Sequence, residues 1–328
     1  VAGSRRSDDV QIAGNAVGSI AAQAEATRVT PLVPSRRSRG LWSDAWRRLR
    51  KNKLAVAGLI IIGLLALIAI FAPLLAPYNF RDVVHSGHTN AGPGEAGLLG
   101  ADNLGRDILS RLLYGARISL SVGLVVQVVV VGIGIPLGAI AGYFGGWVDS
   151  LISRLIDIMY AFPTLLLIVL LSSALRESPI KQLLGGLFII FIAIGLSSWV
   201  GDARLMRGQI ISLKSREYVE AARSIGATSG RILWKHLIPN ALGPILVSVT
   251  FGVPGAIFAE AALSYLGIGV IPPTPSWGAM INEGYPAIFY SPTQVLLPGL
   301  AIAITMLSFT FLGDGLRDAL DPRGKRGV

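Results

Sequence analysis

Cysteine does not occur in the 328 residues. Disulfides, zinc–cysteine centres, cysteine-ligated iron–sulfur clusters and thiol catalysis are therefore excluded. Histidine occurs three times. His85 and His88 share one loop, but two imidazoles without further ligands do not make a metal centre, and no metal site is expected. No Gly-x-x-x-x-Gly-Lys-Ser/Thr run is present, so the chain is not expected to bind ATP. No nucleophile–base constellation stands out, and no catalytic residue is assigned. Charge is scarce as well: 15% of residues are Asp, Glu, Lys or Arg, whereas soluble domains carry about 25%.

What fills the chain instead is apolar. Hydrophobic residues make up 52% of it, in long uncharged runs, and 39 residues are glycine. This is the composition of an integral membrane protein whose helices pack through small residues. The bilayer offers no backbone hydrogen-bond partners, so the spans must be helical and the fold all-α. Six apolar segments are expected to cross, at roughly 54–76, 118–142, 152–175, 184–210, 241–267 and 293–314, each near or above the ~20 residues a crossing needs. Residues 1–40 are rich in Ser, Ala and Arg without periodicity and are expected to form a disordered tail. No signal-peptide core follows the early arginines. In "LWSDAWRRLRKNK" (41–53), Trp42, Trp46 and Leu49 share one helical face amid basic residues, which reads as an interfacial amphipathic helix. Residues 54–323 form the transmembrane domain.

The net charge of +10 has a topological explanation. Basic residues gather before the first span, between spans four and five, and in the C-terminal tail, whereas the loop 268–292 has no Lys or Arg. The positive-inside rule then places both termini and the 212–240 loop in the cytoplasm, and nucleic acid is not expected as a partner. The loops 77–117 and 176–183 are also basic in part, but the three denser regions outvote them.

The basic loop contains "EYVEAARSIGATSGRILWKHLIPN" (217–240). Tyr218, Ala221, Ala222 and Ile225 recur at helical spacing as a short apolar stripe. Gly226 sits where a helix wants a left-handed terminal residue, and Thr228 or Ser229 can cap the next helix. Physics alone leaves two readings open: a connecting loop with local helicity, or a surface helix offering one face to a cytoplasmic protein. A second Glu-Ala-Ala, Glu260-Ala261-Ala262, lies inside a span, with Gly267 one residue later than in the first copy. It is not expected to couple. Glu260 either faces a partner or an aqueous path, or reaches headgroups near the outer helix end. Asp157 lies three residues after Arg154, an i, i+3 pair that reads as structural rather than as a proton relay. Pro163 is expected to kink span three. Gly105, Arg106, Asp107 and Arg111 form either a charged cluster bracing span two or a solvated amphipathic helix. The prolines of "PPTPSWGAM" (272–280) forbid a regular helix, and Trp277 suits an interfacial anchor.

The 217–240 stretch resembles the coupling motif of permease subunits in ABC-type importers, through Glu220, Ala221, Ala222, Gly226 and Pro239. His236 and Ile238 stand where Ile and Leu are usual; the histidine resembles the variant in peptide permeases. "LGADNLGRDILSRLLYGARISL" (99–120), "GYFGGWVDSLISRLIDIMYAFPTLLL" (142–167) and "LSYLGIGVIPPTPSWGAMI" (263–281) are similar to the C-type permease of dipeptide, oligopeptide and nickel importers. The resemblance spans about 45–323. It implies the six-span type I ABC importer permease fold in a bacterial plasma (inner) membrane, with 217–227 as a cytoplasmic coupling helix. It also implies partners: a second, B-type permease, two cytoplasmic ATPases that hold the ATP and Mg²⁺, and an extracytoplasmic binding protein docking near Pro272, Pro273, Pro275 and Trp277. The function implied is ATP-driven import of peptides. The alternative is an ion- or proton-coupled secondary transporter, a class that shows interrupted spans and several intramembrane ionisable residues.

Overall fold

The computed structural model of the chain describes residues 41–179 and 186–320, with side chains from residue 43 onward. The tail 1–40, Lys181 and the basic residues of 321–328 lie outside them. Ten helices run α1 (Leu41–Leu49), α2 (Lys53–Leu75), α3 (Ile108–Phe144), α4 (Gly146–Ala161), α5 (Thr164–Arg176), α6 (Leu187–Leu213), α7 (Glu217–Ser224), α8 (Ser229–Tyr265), α9 (Trp277–Gly284) and α10 (Thr293–Leu320). Among the described residues, extended pairing is confined to two isolated bridges, Val83 with Arg106 and Ala101 with Asp107.

Local chemistry sets the ends. Asn52 caps α2 by accepting from the Ala55 amide at 3.2 Å, and Asp107 caps α3 by accepting from the Ser110 amide at 2.7 Å. The cap at Asp107 starts α3 about three turns before the expected span. α8 likewise begins on the loop side of its span, at Ser229, after a Thr228 cap. A π-helical turn, Ile232–Leu237, lies inside it. Pro239 follows at once. A proline ring crowds the carbonyl four residues back, and the wider turn, with Ile238 N–H bonded to the Leu233 carbonyl, accommodates it.

Span three is where the expectation of a kink falls short. α4 and α5 are bent by 90°. The residue before a proline is pushed to extended backbone, and Phe162 sits at φ −94°, ψ 132°. The helix therefore stops at Ala161 and a new one starts at Thr164.

Close approach between α3 and α6 shows that this broken pair still crosses. Gly134, Gly138 and Gly142 form a stripe at four-residue spacing. A Cβ on Gly134 would lie 2.9 Å from the Trp199 carbonyl oxygen, and one on Gly142 2.7 Å from that of Arg207. Gly138 abuts the Ala203 carbonyl between them. Contact positions advance together along both helices, so α3 and α6 are parallel. Parallel neighbours need one crossing between them, and α4–α5 supplies it. At one end the Lys214 ammonium reaches the Gly142 carbonyl at 3.0 Å. At the other the Arg176 guanidinium reaches the Gly269 carbonyl at 3.1 Å. The chain thus makes six passages, and its two ends are called here the basic side, which carries α1 and α7, and the far side, which carries α9.

α6 is the central helix and α2 a peripheral one: 61% of the most apolar stretch of α6 is buried against 17% for α2. On α2 the small residues Ala55, Gly58, Ala69 and Ala72 face inward, while Leu54, Ile60, Leu64, Leu67 and Leu74 face outward. Bulky residues go outward because lipid tails do not drive them in, and small ones let backbones meet. α1 packs differently from its expected face. Ala45 and Leu49 are buried against Leu312, Leu316 and Ala319 of α10, while Trp46 stays exposed beneath the Arg50 guanidinium. The side chain of Trp42 lies outside the described residues.

The glycine stripe yields a direct test. Gly138→Val drives a branched side chain into the α6 backbone and should destabilise the protein by roughly 1–3 kcal/mol, the usual overpacking range. Gly132→Val, on the same helix where a Cβ meets nothing within 4 Å, is the control. Equal melting temperatures of the two variants in detergent would refute the packing account.

Candidate functional site

On the basic side, α7 is held by one edge and free on the other. Val219 and Ala222 are buried against Met206 and Ile210 of α6 and Ile232, Leu233 and Leu237 of α8. Tyr218 and Ala221 are exposed, and Ile225 is 86% exposed. The expected four-residue stripe is therefore divided: Ala222 faces the protein, and Tyr218, Ala221 and Ile225 face away from it. Val219, absent from that stripe, is the residue that seats the helix. Glu220 and Pro239 are exposed. Past the last turn, the Gly226 N–H donates to the Arg223 carbonyl at 2.9 Å and the Ala227 N–H to the Ala222 carbonyl at 3.0 Å. This double closure needs a left-handed residue, and Gly226 has φ +80°.

The second Glu-Ala-Ala ends the same way, at Gly267 with φ +75°, where Gly267 and Ile268 donate to the Ser264 and Leu263 carbonyls. Its setting is the opposite. Glu260 is fully buried, so it does not reach headgroups. Ser264 donates to its carboxylate at 2.6 Å and Ser119 at 3.5 Å, and the Ser276 hydroxyl lies 3.5 Å from that of Ser264. These serines also hold the far-side loop: Ser264 accepts from the Val270 amide and Ser119 from the Trp277 amide, both at 3.2 Å. Trp277 is correspondingly no interfacial anchor. It is 1% exposed, donates from its indole to the Leu112 carbonyl at 3.1 Å, and opens α9, capped by Ser276. A regular helix thus begins just after the last proline. Pro272 and Pro273 are exposed, joined by a cis bond, and Pro275 is buried.

The far-side charged cluster is a buried network. The Arg106 side chain bonds Asp102 at 2.6 Å and Glu283 at 2.5 Å. Arg111 bonds Glu283 at 2.6 Å and also Asp102. Two guanidinium groups thus meet two carboxylates. Gly105 turns the loop at φ +79°, and Asp107 serves as the cap. Glu283, from α9, was not legible because it is 172 residues from Arg111 in sequence.

The i, i+3 pair of Arg154 and Asp157 does not form. Both side chains are exposed. Asp157 takes Arg204 of α6 at 2.7 Å, and that guanidinium also lies 4.3 Å from the centre of the Tyr160 ring. A second tie, Arg207 to Asp149, is bidentate at 2.6 Å for each bond. Of the two ties, Arg207–Asp149 has the two-on-two geometry in which a guanidinium fork matches a carboxylate. Asp202, by contrast, is buried near the middle of α6 and faces a cavity shared with α3, α5 and α8.

Comparison with known proteins locates this arrangement. Residues 134–326 match the family described as binding-protein-dependent transport system inner membrane component, and residues 40–93 match the N-terminal TM domain of oligopeptide transport permease C. The oligopeptide transport system permease protein OppC of Bacillus subtilis is 45% identical over 289 residues, covering 88% of this chain and 92% of that one. The dipeptide permease DppC of the same organism is 44% identical over 286 residues, 86% of each chain. A glutathione permease, GsiD of Escherichia coli, is 40% identical over 300 residues, covering 92% and 96%. Among solved structures, an inward-facing MetNI methionine ABC transporter aligns with a TM-score of 0.51 and 21% identity, over 65% of this chain and 98% of that one. This last likeness concerns the fold.

The charged network predicts an asymmetric mutational response. Arg111→Ala leaves the buried Asp102 and the partly buried Glu283 on one remaining cation and should cost about 3–5 kcal/mol, the range for breaking a buried pair. Arg154→Ala removes an exposed group without a close carboxylate and should change stability by less than about 0.5 kcal/mol. Thermal melting of both variants checks this, and a mild Arg111→Ala effect would refute the network as drawn.

Proposed function

The chain belongs to the binding-protein-dependent transport system inner membrane component family, and we propose that it serves there as the C-type permease of a peptide importer. As a member it is a multi-pass transport permease subunit. The cargo we assign is di- or oligopeptides, supported by the names of the oligopeptide and dipeptide relatives. A B-type permease supplies the other half of the pathway. An extracytoplasmic binding protein delivers cargo to the far side, and two ATPases holding ATP and Mg²⁺ dock on the basic side. The basic side, with both termini, then faces the cytoplasm of a bacterial cell.

One observation carries the reading: α7 presents Tyr218, Ala221 and Ile225 outward while Val219 and Ala222 lock it to α6 and α8. Such a helix is a rigid handle. Force applied to its free edge passes through close-packed side chains into two spans, because packed interiors shift as units rather than compress. Ala221 keeps the centre of the free edge low, so a partner surface can approach between Tyr218 and Ile225.

The break at Phe162–Pro163 is the observation that favours a second reading, the ion- or proton-coupled secondary transporter, since such proteins interrupt spans at their binding sites. ATP dependence separates the two.

In a reconstituted complex, Ile225→Asp should lower ATPase-subunit retention at least about tenfold by placing a charge in an apolar contact, without touching the fold. Gly226→Val meets no neighbour but must hold φ +80°, a strain of roughly 1–2 kcal/mol that should tilt or fray α7 and uncouple hydrolysis from uptake. Full ATPase retention with receptor-stimulated uptake in both variants would refute the assignment of α7, and uptake without ATP would establish the second reading.

Topology is checked separately, with no native cysteine to interfere. Single cysteines at Ser229 and Phe289, both exposed, should react with an impermeant maleimide from opposite faces of the membrane. Reaction of both from one face would overturn the six-passage arrangement.

A further inference from the structure

The cavity in front of Asp202 is about 340 Å³ in volume and is bounded by α3, α5, α6 and α8, within the size range of small-ligand pockets. Its wall is mostly apolar, but five polar side chains reach it: Gln127, Thr164, Ser198, Asp202 and Ser248. Asp202 is 7% exposed and Gln127 6%. The Asp202 Oδ1 and Gln127 Oε1 atoms are both buried and accept from nothing. Ser248 lines the same cavity but brings no charge. Among the described residues, no Lys, Arg or His nitrogen lies within 4.0 Å of Asp202. The nearest cations on its own helix are committed elsewhere, Arg204 to Asp157 and Arg207 to Asp149.

Space for the amide is built in. A Cβ on Gly252 would stand 2.7 Å from the Gln127 carboxamide carbon, so only glycine at that position of α8 lets Gln127 lie where it does. The 90° break between α4 and α5 starts α5 at Thr164, which stands in the wall of the same cavity.

A carboxylate with an unpartnered oxygen, an amide with an unpartnered oxygen and three hydroxyl-bearing residues make a set rich in acceptors with one negative charge. What it lacks is a compact donor with one positive charge. A primary ammonium has three N–H donors and no acceptor. Divalent metals call for more anionic oxygens than a single carboxylate provides. Resting on the peptide-importer reading above, we propose that this cavity is a subsite for the free amino terminus of the peptide in transit, with Asp202 as its counter-charge and Gln127 and Ser198 as neutral acceptors. Such a site makes selectivity a property of the permease as well as of the receptor. It also lets a cationic group enter the bilayer interior without standing unpaired there, which is costly.

The test uses the whole complex in liposomes, with trialanine and N-acetyltrialanine as probes. Neither carries a side-chain amine. Receptor affinity for each probe is measured first, and uptake is compared at equal receptor occupancy. The native complex should prefer trialanine by about tenfold or more, the size of a lost charge-assisted hydrogen bond. Asp202→Asn should bring the ratio close to one by lowering trialanine uptake, and Asp202→Glu should restore part of the preference. If Asp202→Asn does not assemble, Gln127→Leu, which removes one acceptor at similar volume, should reduce the ratio about threefold. An unchanged ratio in an assembled variant overturns the subsite. So does an equal loss of both probes, which would mark Asp202 as structural or as holding an inorganic ion. A native complex that takes up neither probe overturns the peptide reading itself, and the subsite with it.

Discussion

The backbone contact between α3 and α6 is the constraint on which the other features rest. In water, helices are driven together by burying apolar side chains. In lipid that drive is absent, and association depends on how closely backbones can meet. Gly134, Gly138 and Gly142 remove every side chain from one edge of α3, so α6 lies directly on it. The pair is parallel, and the segment between must cross the membrane. It must also fit beside the pair, which it does by breaking at Phe162–Pro163 and tying its first half to α6 through Asp149–Arg207 and Asp157–Arg204. The seat of α7 follows from the same contact: Ile135 and Ala139 of α3 and Met206 and Ile210 of α6 form one apolar floor under Val219 and Ala222.

Charge is handled according to depth. On the far side, Arg106 and Arg111 are balanced by Asp102 and Glu283 in a buried two-by-two network. Near the basic side, exposed or half-buried arginines of α6 reach across to α4. Between these levels stand Glu260 and Asp202, which have no cationic partner within 4.0 Å among the described residues. Glu260 is enclosed by serines that also anchor the far-side loop, and each of its oxygens has a partner among them. Asp202 lines a cavity and keeps one oxygen without a partner. Two carboxyl groups with similar burial thus differ in what their surroundings leave unfilled.

The two Glu-Ala-Ala segments make the same point about motifs. Both form a last helical turn closed by a left-handed glycine with matching hydrogen bonds. Their local conformations agree because the same residue types satisfy the same terminal carbonyls. Their settings diverge: one lies among exposed polar residues beyond the spans, and the other is sealed between α3, α8 and α9.

Much was legible in the linear chain, for reasons that are local. Length of apolar runs, absence of cysteine, the distribution of Lys and Arg, and the glycine turn at 226 depend on near neighbours and on the solvent each segment meets. They mark a helical membrane protein with six passages and a helix in the basic loop. Pairings across helices were not legible. Asp157 chose Arg204 over Arg154, Arg111 found Glu283, and Trp277 went inward to the Leu112 carbonyl, because donors and acceptors pair by geometry in space, not by nearness in sequence. The face of α7 that stays free was likewise decided by packing: a helical stripe says which residues share a side, and only the floor laid by α3, α6 and α8 says which side is covered.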